Sequence, residues 1–347
     1  MKPKLIRFAA VLLLALLLAL LNACSAAEYA DFTYFAMDTV VSLRLAKGSL
    51  GDSSLADTAD SCAALLTELE SELSSHDPAS PVYRLNHGEA VELPASVSAV
   101  WEAAQSVSAY SGGACDCTLG SLIRLWNVEG GGPVPSSEAI REALNHVGAD
   151  RFRKTGDTLE PLDPEAALDL GGVGKGYAVE VMVERLGSSP VSYGLVSLGG
   201  NIGIFGAKED GSPFKIGIRD PAQPENSSAV VGYLSLTDGF VSVSGDYERY
   251  FEEGGVRYHH ILDPKTGYPA DSGLHSAAVW SENGAWADAL STALFVLGEE
   301  KALELYREQD GIPPFEAVLT ASDGRIVVTD GLRDCFELTN ERYTLAE

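Results

Sequence analysis

The sequence predicts a single compact α+β unit, one domain of two closely joined lobes with antiparallel sheets and flanking helices. Three observations carry that prediction. Short alternating runs recur through the second half of the chain, as half-buried strands require. Longer stretches between them return apolar side chains at helical spacing. No internal repeat or low-complexity linker divides the body of the 347-residue chain. A composition of 46% hydrophobic and 21% charged residues excludes wholesale disorder and collagen-like repeats.

Residues 1–23 stand apart from that unit. Lys2, Lys4 and Arg7 precede an apolar run from Phe8 to Leu21 that is too short to span a bilayer comfortably, and Ala23 stands before Cys24. This is the pattern of a lipoprotein signal peptide cleaved ahead of Cys24, which is then diacylated; an ordinary secretory signal cleaved nearby is the alternative. Either way the expected place is outside the cytoplasm. With two acyl chains on Cys24 the protein is held to the cell membrane, at the cell surface or the periplasmic face, with residues 24–31 as tether and 32–347 as the folded domain.

Charge narrows the partners. The chain carries 24 Lys+Arg against 50 Asp+Glu, a formal −26; losing residues 1–23 removes three positive charges and no acid, leaving −29. Such a surface repels phosphate backbones and excludes nonspecific nucleic-acid binding. An anionic small substrate would need a local cation.

The elements follow in order. Residues 32–45 alternate like a first strand, and Leu55, Cys62, Leu65, Leu66, Leu69 and Leu73 predict a helix over 53–74. Ser75-His76-Asp77-Pro78 breaks it. A second helix spans about 95–111 and ends on Gly112-Gly113; a loop follows Trp126 as far as Pro135, before a helix near 137–147. A short strand at 167–170 leads into Gly171-Gly172-Val173-Gly174-Lys175-Gly176 and a helix to Leu186. Strands at 194–198, 214–219, 230–236 and 240–244 form an antiparallel system, joined by one at 277–280. An apolar helix over 285–297 is extended by 301–309, and strands at 316–320 and 325–328 close the chain. Cys62, Cys115, Cys117 and Cys335 read as buried thiols with room for one long-range disulfide, since Cys115 and Cys117 are too close for an easy mutual bridge and no zinc-type spacing occurs.

Three segments carry chemistry. The glycine-rich loop is not a P-loop, because Asp169 stands where the first glycine belongs and Gly176 follows Lys175 in place of Ser or Thr. Gly172, Gly174 and Gly176 do not give the dinucleotide spacing either. A strand, glycines, a lysine and a helix start still make an anion cradle; a structural tight turn is the alternative. Asp288 and Thr292, four apart, share one helix face and offer hard oxygens suited to Mg²⁺; alternatively Asp288 caps the helix and Thr292 bonds back to it. The segment from Arg257 to Pro269 combines a rigid Asp263-Pro264 turn with His259 and His260, which point oppositely on a strand, so one at most faces a site. A surface hairpin with a core-facing histidine is the alternative there.

Together, in this order, these segments resemble the ApbE family, the FAD:protein FMN transferases. The resemblance runs through Met37-Asp38-Thr39, residues 75–86, residues 113–120, residues 169–177, residues 197–201, Ser244-Gly245-Asp246-Tyr247, the His260 to Pro264 loop and the Ala287-Asp288 helix. It covers nearly all of the chain beyond the signal. It implies a two-lobed, T-fold-like domain that binds FAD as substrate, cleaves its pyrophosphate, passes FMN to a Thr or Ser hydroxyl of a target protein and releases AMP. By position, Met37, His76, Ala114, Cys115, Asp116, Asp169 and Lys175 match residues that hold FAD in the family. Gly172, Asp288 and Thr292 match its Mg²⁺ site. The family often has an aromatic residue where His76 stands and a larger apolar one where Cys115 stands. Expected acceptors are flavoprotein subunits of membrane electron-transfer complexes.

The residue types agree with that chemistry, since phosphoryl transfer needs mainly positioning and charge compensation. Mg²⁺ and Lys175 supply the local cation, and His260 or Asp246 is the candidate base for the receiving hydroxyl. A pyrophosphatase releasing FMN and AMP, or a noncatalytic FAD-binding lipoprotein, would keep the same pocket.

Overall fold

A computed structural model describes residues 29–346, so the expected signal peptide, Cys24 and the start of the tether lie outside the described residues. At its centre is a nine-stranded sheet whose strands lie side by side in chain order. They are β1 (Tyr29–Ala36), β2 (Thr39–Ala46), β3 (Gly194–Leu198), β4 (Asn201–Phe205), β5 (Gly239–Gly245), β6 (Leu274–Ser281), β7 (Phe315–Ala321), β8 (Arg325–Val328) and β9 (Thr344–Leu345). Neighbours are antiparallel except β8 and β9.

Both faces of the sheet's centre are buried, which is why β6 and β7 read as apolar runs without a clean alternation. Ala277, Val279, Ala317 and Leu319 join the core under the helices. Ala278 and Val318, pointing the other way, join a second core beneath a small sheet of Phe214–Arg219, Val230–Leu236 and Phe336–Leu338. The helices are α1 (Asp52–Leu73), α2 (Pro81–Leu85), α3 (Ala95–Tyr110), α4 (Gly120–Trp126), α5 (Ser137–Leu144), α6 (Gly174–Gly187) and α7 (Gly284–Arg307). α1 buries Leu55, Cys62, Leu66, Leu69 and Leu73, the predicted stripe, with Leu65 half-buried at its margin. The smaller lobe packs α4, α5 and the hairpin of Tyr250–Glu253 and Val256–His259 around Leu122, Trp126, Ile140 and Phe251.

Four differences from the sequence reading have physical reasons. The expected strand over 32–45 is a hairpin, and β1 already starts at Tyr29, inside the expected tether. Its turn is Met37-Asp38, both left-handed at φ 50° and 57°, with no glycine or asparagine to announce it. The trace in the sequence is a parity change, from half-buried Phe32 and Tyr34 and buried Ala36 before the turn to buried Val41, Leu43 and Leu45 after it. The expected strand at 167–170 forms only a bridge from Ala167 to Leu119, because the Asn86 side chain takes both the N–H and the C=O of Leu168 (2.7 and 2.8 Å). The two helical pieces expected after residue 284 form one element broken at Gly298, where φ is 77°. Cys62, Cys115 and Cys117 are buried free thiols, whereas the Cys335 thiol is free but only half-buried.

The contact between α6 and α7 positions the site. A Cβ on Gly176 would lie 2.2 Å from the Gly284 carbonyl oxygen and 2.5 Å from the Asp288 Cβ, so glycine alone lets the start of α6 touch α7. Gly176→Ala is therefore expected to force the helices apart and destabilise the protein by about 1–3 kcal/mol. Denaturant unfolding checks this, and an unchanged midpoint would mean that the two backbones can separate at no cost.

Candidate active site

The turns of β1–β2 and β3–β4, the end of β5, the start of α6 and the first turns of α7 converge with residues 114–129 and 260–262 around a cavity of about 550 Å³. Met37, His76, Ala114, Cys115, Asp116, Asp169, Gly172, Lys175, His260, Asp288 and Thr292 all line it. Asp246 does not.

Asp288 sits at the cavity floor, buried, with Oδ2 accepting the Gly176 N–H at 2.8 Å. Burial pushes its carboxyl above the usual range, while Lys175, the Gly176 amide and the Asn201 side chain pull the other way. One turn along α7, Thr292 Oγ1 lies 3.1 Å from Ser244 Oγ and 3.5 Å from the Asp288 carbonyl oxygen. Ser244 Oγ is also 2.8 Å from Ser291 Oγ. The glycine loop reaches the same point, since a Cβ on Gly172 would stand 3.5 Å from Thr292 Oγ1.

These donors fit Mg²⁺. No group of three His, Cys, Asp or Glu forms a metal cluster among the described residues. A cation here would be held by one carboxylate, a hydroxyl and a peptide carbonyl, leaving positions for water and phosphate oxygens, which is how Mg²⁺ is usually bound in phosphate-handling sites. A buried carboxylate that is costly to ionise gains most from such a cation.

Local bonds fix the walls. Lys175 Nζ donates to the Gly171 carbonyl at 2.7 Å, folding the side chain back over the glycine loop. Asp169 Oδ1 accepts the Gly171 N–H at 2.9 Å, and the Asp169 N–H donates to the Cys117 carbonyl at 2.8 Å, stitching that loop to residues 115–117. Ser111 Oγ accepts the N–H groups of Ala114 and Cys115, and Asp116 Oδ1 accepts both the N–H and the hydroxyl of Thr118. Burial pushes the Cys115 thiol up to about 12 and the Cys117 thiol well above its usual value, so both act as packing groups. The Met37 N–H donates to Glu70 Oε1 at 3.0 Å, pinning the strained turn; His76 is exposed at the rim, its N–H donating to Ser74 Oγ at 3.1 Å.

The two histidines divide as their strand position requires. His259 turns into the core, buried, with Nε2 3.0 Å from the Ala270 carbonyl and its ring edge-on to Phe295. His260 lines the cavity, with Nδ1 3.3 Å from the Arg249 carbonyl. A carbonyl only accepts, so Nδ1 carries the proton and Nε2 is left with a free lone pair. Burial, then the charges of Arg249 and Lys175, push the His260 imidazole down to about 3. It is neutral at working pH.

Glu70, Asn201, Ser244 and Arg249 are among the wall residues not singled out from sequence. Asn201 and Ser244 fall in segments that carry the family resemblance, but residue type alone does not mark either one. Arg249 ion-pairs with Glu129 across the cavity wall.

Asp246, the other candidate base, is committed elsewhere: Oδ2 lies 2.7 Å from His275 Nδ1. That bond raises the His275 imidazole above its usual 6.5, against the opposing effect of burial. An imidazole more basic when folded stabilises the protein fully below 6.5 and loses that contribution as pH rises through its folded value. The thermal midpoint of the wild type is expected to fall as the pH is raised above 6.5 and through the higher folded value, and the His275→Gln variant to lack that component. Equal slopes for the two proteins would show that the pair does not contribute.

Comparison with known proteins places the chain in a family. Residues 37–315 match the ApbE family. A protein of Treponema pallidum described as an FAD:protein FMN transferase is 35% identical over 300 residues, covering 81% of this chain and 82% of its own. One of Haemophilus influenzae with the same description is 34% identical over 256 residues, 70% of this chain and 73% of its own. Among solved structures, the ApbE protein of Thermotoga maritima superposes with a TM-score of 0.80 at 31% identity, over 89% of this chain and 99% of that one. The flavin transferase ApbE of Vibrio cholerae gives 0.76 at 27% identity, over 89% and 100%.

Proposed function

The chain belongs to the ApbE family and is an FAD:protein FMN transferase, and from that premise we propose how it works: it splits the pyrophosphate of FAD in a Mg²⁺-dependent step, links FMN through a phosphoester to a Thr or Ser hydroxyl of a flavoprotein, and releases AMP. One observation carries this reading. A buried carboxylate, a hydroxyl and a glycine-loop backbone converge beside Lys175 in the same cavity as a neutral histidine.

Each residue has a task. Lys175 and the positive end of the α6 dipole favour the anionic pyrophosphate there. Asp288, Thr292 and the Gly172 carbonyl would hold Mg²⁺, which would supply positive charge against the pyrophosphate and the departing AMP. His260 Nε2 accepts the proton of the receiving hydroxyl. The hydroxyl oxygen bonds to the FMN phosphorus, and the bond from that phosphorus to the bridging oxygen breaks, so the electron pair leaves with AMP. In the free protein burial, and after it the charges of Arg249 and Lys175, keep the imidazole weakly basic; phosphates that offset those charges make it a better base at the moment it is needed.

Place and partner complete the proposal. The N-terminal sequence supports a diacylated Cys24 and an extracytoplasmic, membrane-held enzyme. Its acceptors are then flavoprotein subunits of membrane electron-transfer complexes. The test is intact-mass spectrometry of the unflavinylated FMN-binding domain of such a subunit after incubation with the protein, FAD and Mg²⁺. A covalent FMN adduct on Thr or Ser is expected. Free FMN with unmodified acceptor would make the protein a pyrophosphatase, and untouched FAD would leave a binder.

A further inference from the structure

Phe35 and Val40 face each other across the β1–β2 hairpin and stand 73% and 56% exposed. Between them Met37, Asp38 and Thr39 line the active-site cavity. In a two-residue hairpin the flanking pair, Ala36 and Thr39, exchanges hydrogen bonds, so the next pair is the closer, non-hydrogen-bonded one. The ring of Phe35 and the methyls of Val40 therefore form one patch at the cavity rim. Among the described residues β1 is also an end strand of the nine-stranded sheet with an open edge, and the same alternation aims the N–H and C=O of Phe35 and Thr33 out of that edge.

The core does not require this patch, since Tyr34 and Ala36 on the opposite face of β1 already pack inward. The one charge beside it is the exposed Asp38 of the turn, an acid. The next cross-strand pair is Thr33 and Ser42, both exposed, and the first charges down the ladder, Asp31 and Arg44, pair with each other at 2.7 Å. On a chain of net charge −26 this is an apolar edge whose tip carries an acid and whose one ladder cation, Arg44, is paired with Asp31, so it does not suit an anionic membrane. The left-handed turn and its bond to Glu70 hold it in fixed relation to the cavity.

We propose that the tip of the β1–β2 hairpin is the docking surface for the polypeptide that receives FMN. An extended, apolar segment of the acceptor adds along the open edge of β1, and its Thr or Ser hydroxyl passes over the Met37-Asp38 turn into the cavity. An exposed end strand is otherwise an aggregation hazard, and strand addition is a standard use of one. The proposal rests on the transfer reading, because only a transferase needs a polypeptide at this rim.

The test is the acceptor dependence of flavinylation, with the unflavinylated FMN-binding domain as probe and FAD and Mg²⁺ saturating. Phe35→Thr, Val40→Thr and the double variant keep strand-forming residues at exposed positions. Leu345→Thr, 52% exposed on β9 at the far end of the sheet, is the control. The double variant is expected to raise the KM for acceptor about tenfold, as loss of an apolar anchor does, with each single variant between and the control unchanged. FAD affinity, read from flavin fluorescence, stays at the wild-type value. An unchanged KM while the wild type transfers FMN overturns the docking proposal alone. Weakened FAD binding overturns it by assigning the patch to the flavin site. A wild-type dimer that the double variant dissociates, or wild-type binding to phosphatidylglycerol vesicles that it abolishes, with acceptor KM unchanged, assigns the patch to a second copy or to lipid. No adduct from the wild type removes the transfer reading itself.

Discussion

Replacing Asp288 with asparagine is expected to lower FMN transfer by about a thousandfold while the fold is kept. Asparagine retains the shape and an oxygen able to accept the Gly176 N–H, so the helix contact survives. What is lost is the one negative charge among the proposed cation donors. Asp288 is buried, and removing a charge that burial disfavours should leave the thermal midpoint at or above that of the wild type. Activity and stability thus move in opposite directions, which separates loss of the cation from loss of structure. Asp288→Ala should lose as much activity and also leave the Gly176 amide without its acceptor, so its midpoint falls. The measurement is the transfer rate across a Mg²⁺ titration together with thermal unfolding. Wild-type rates from either variant at low Mg²⁺ would mean that Asp288 holds no cation.

His260→Ala is expected to lower transfer by about 10²–10⁴-fold, the usual worth of a positioned base, with FAD affinity close to normal. The pH dependence is the sharper readout. A base works in its deprotonated form, and an imidazole pushed down to about 3 stays deprotonated as the pH falls through 6.5. In the wild type kcat/KM, which reports the free enzyme, should therefore show no histidine limb near 6.5. Once pyrophosphate offsets Arg249 and Lys175, the limb in kcat should lie at higher pH than the limb in kcat/KM. Coincident limbs near 6.5 would mean that neither burial nor those two cations act on His260.

The parts of this site that could be read from sequence are those fixed by local rules. Asp288 and Thr292 are four apart, so a helix had to place them together. The glycines before α6 had to make a turn at a helix start, and the adjacent histidines, His259 at the end of a strand and His260 just after it, diverge as neighbours on an extended chain do. What local rules cannot supply is which distant segments meet. Gly176 and Asp288 are bonded across 112 residues, and Asn86 replaces a strand ladder at Leu168 from 82 residues away. Residue type likewise left His260 and Asp246 equivalent as bases; the partner of each separates them, a backbone carbonyl for one and His275 for the other. Met37-Asp38 hid its turn because left-handed φ is unusual for Met, and a tertiary bond to Glu70 helps hold it.

Counting both products of one reaction tests the central claim most directly. Protein, limiting FAD, Mg²⁺ and excess unflavinylated acceptor domain are mixed, and AMP and covalent FMN adduct are quantified from the same tube over time. The account predicts that AMP and adduct rise together, mole for mole, and that both stop when Mg²⁺ is chelated. AMP accumulating with free FMN and no adduct, or adduct forming at full rate without Mg²⁺, would contradict it.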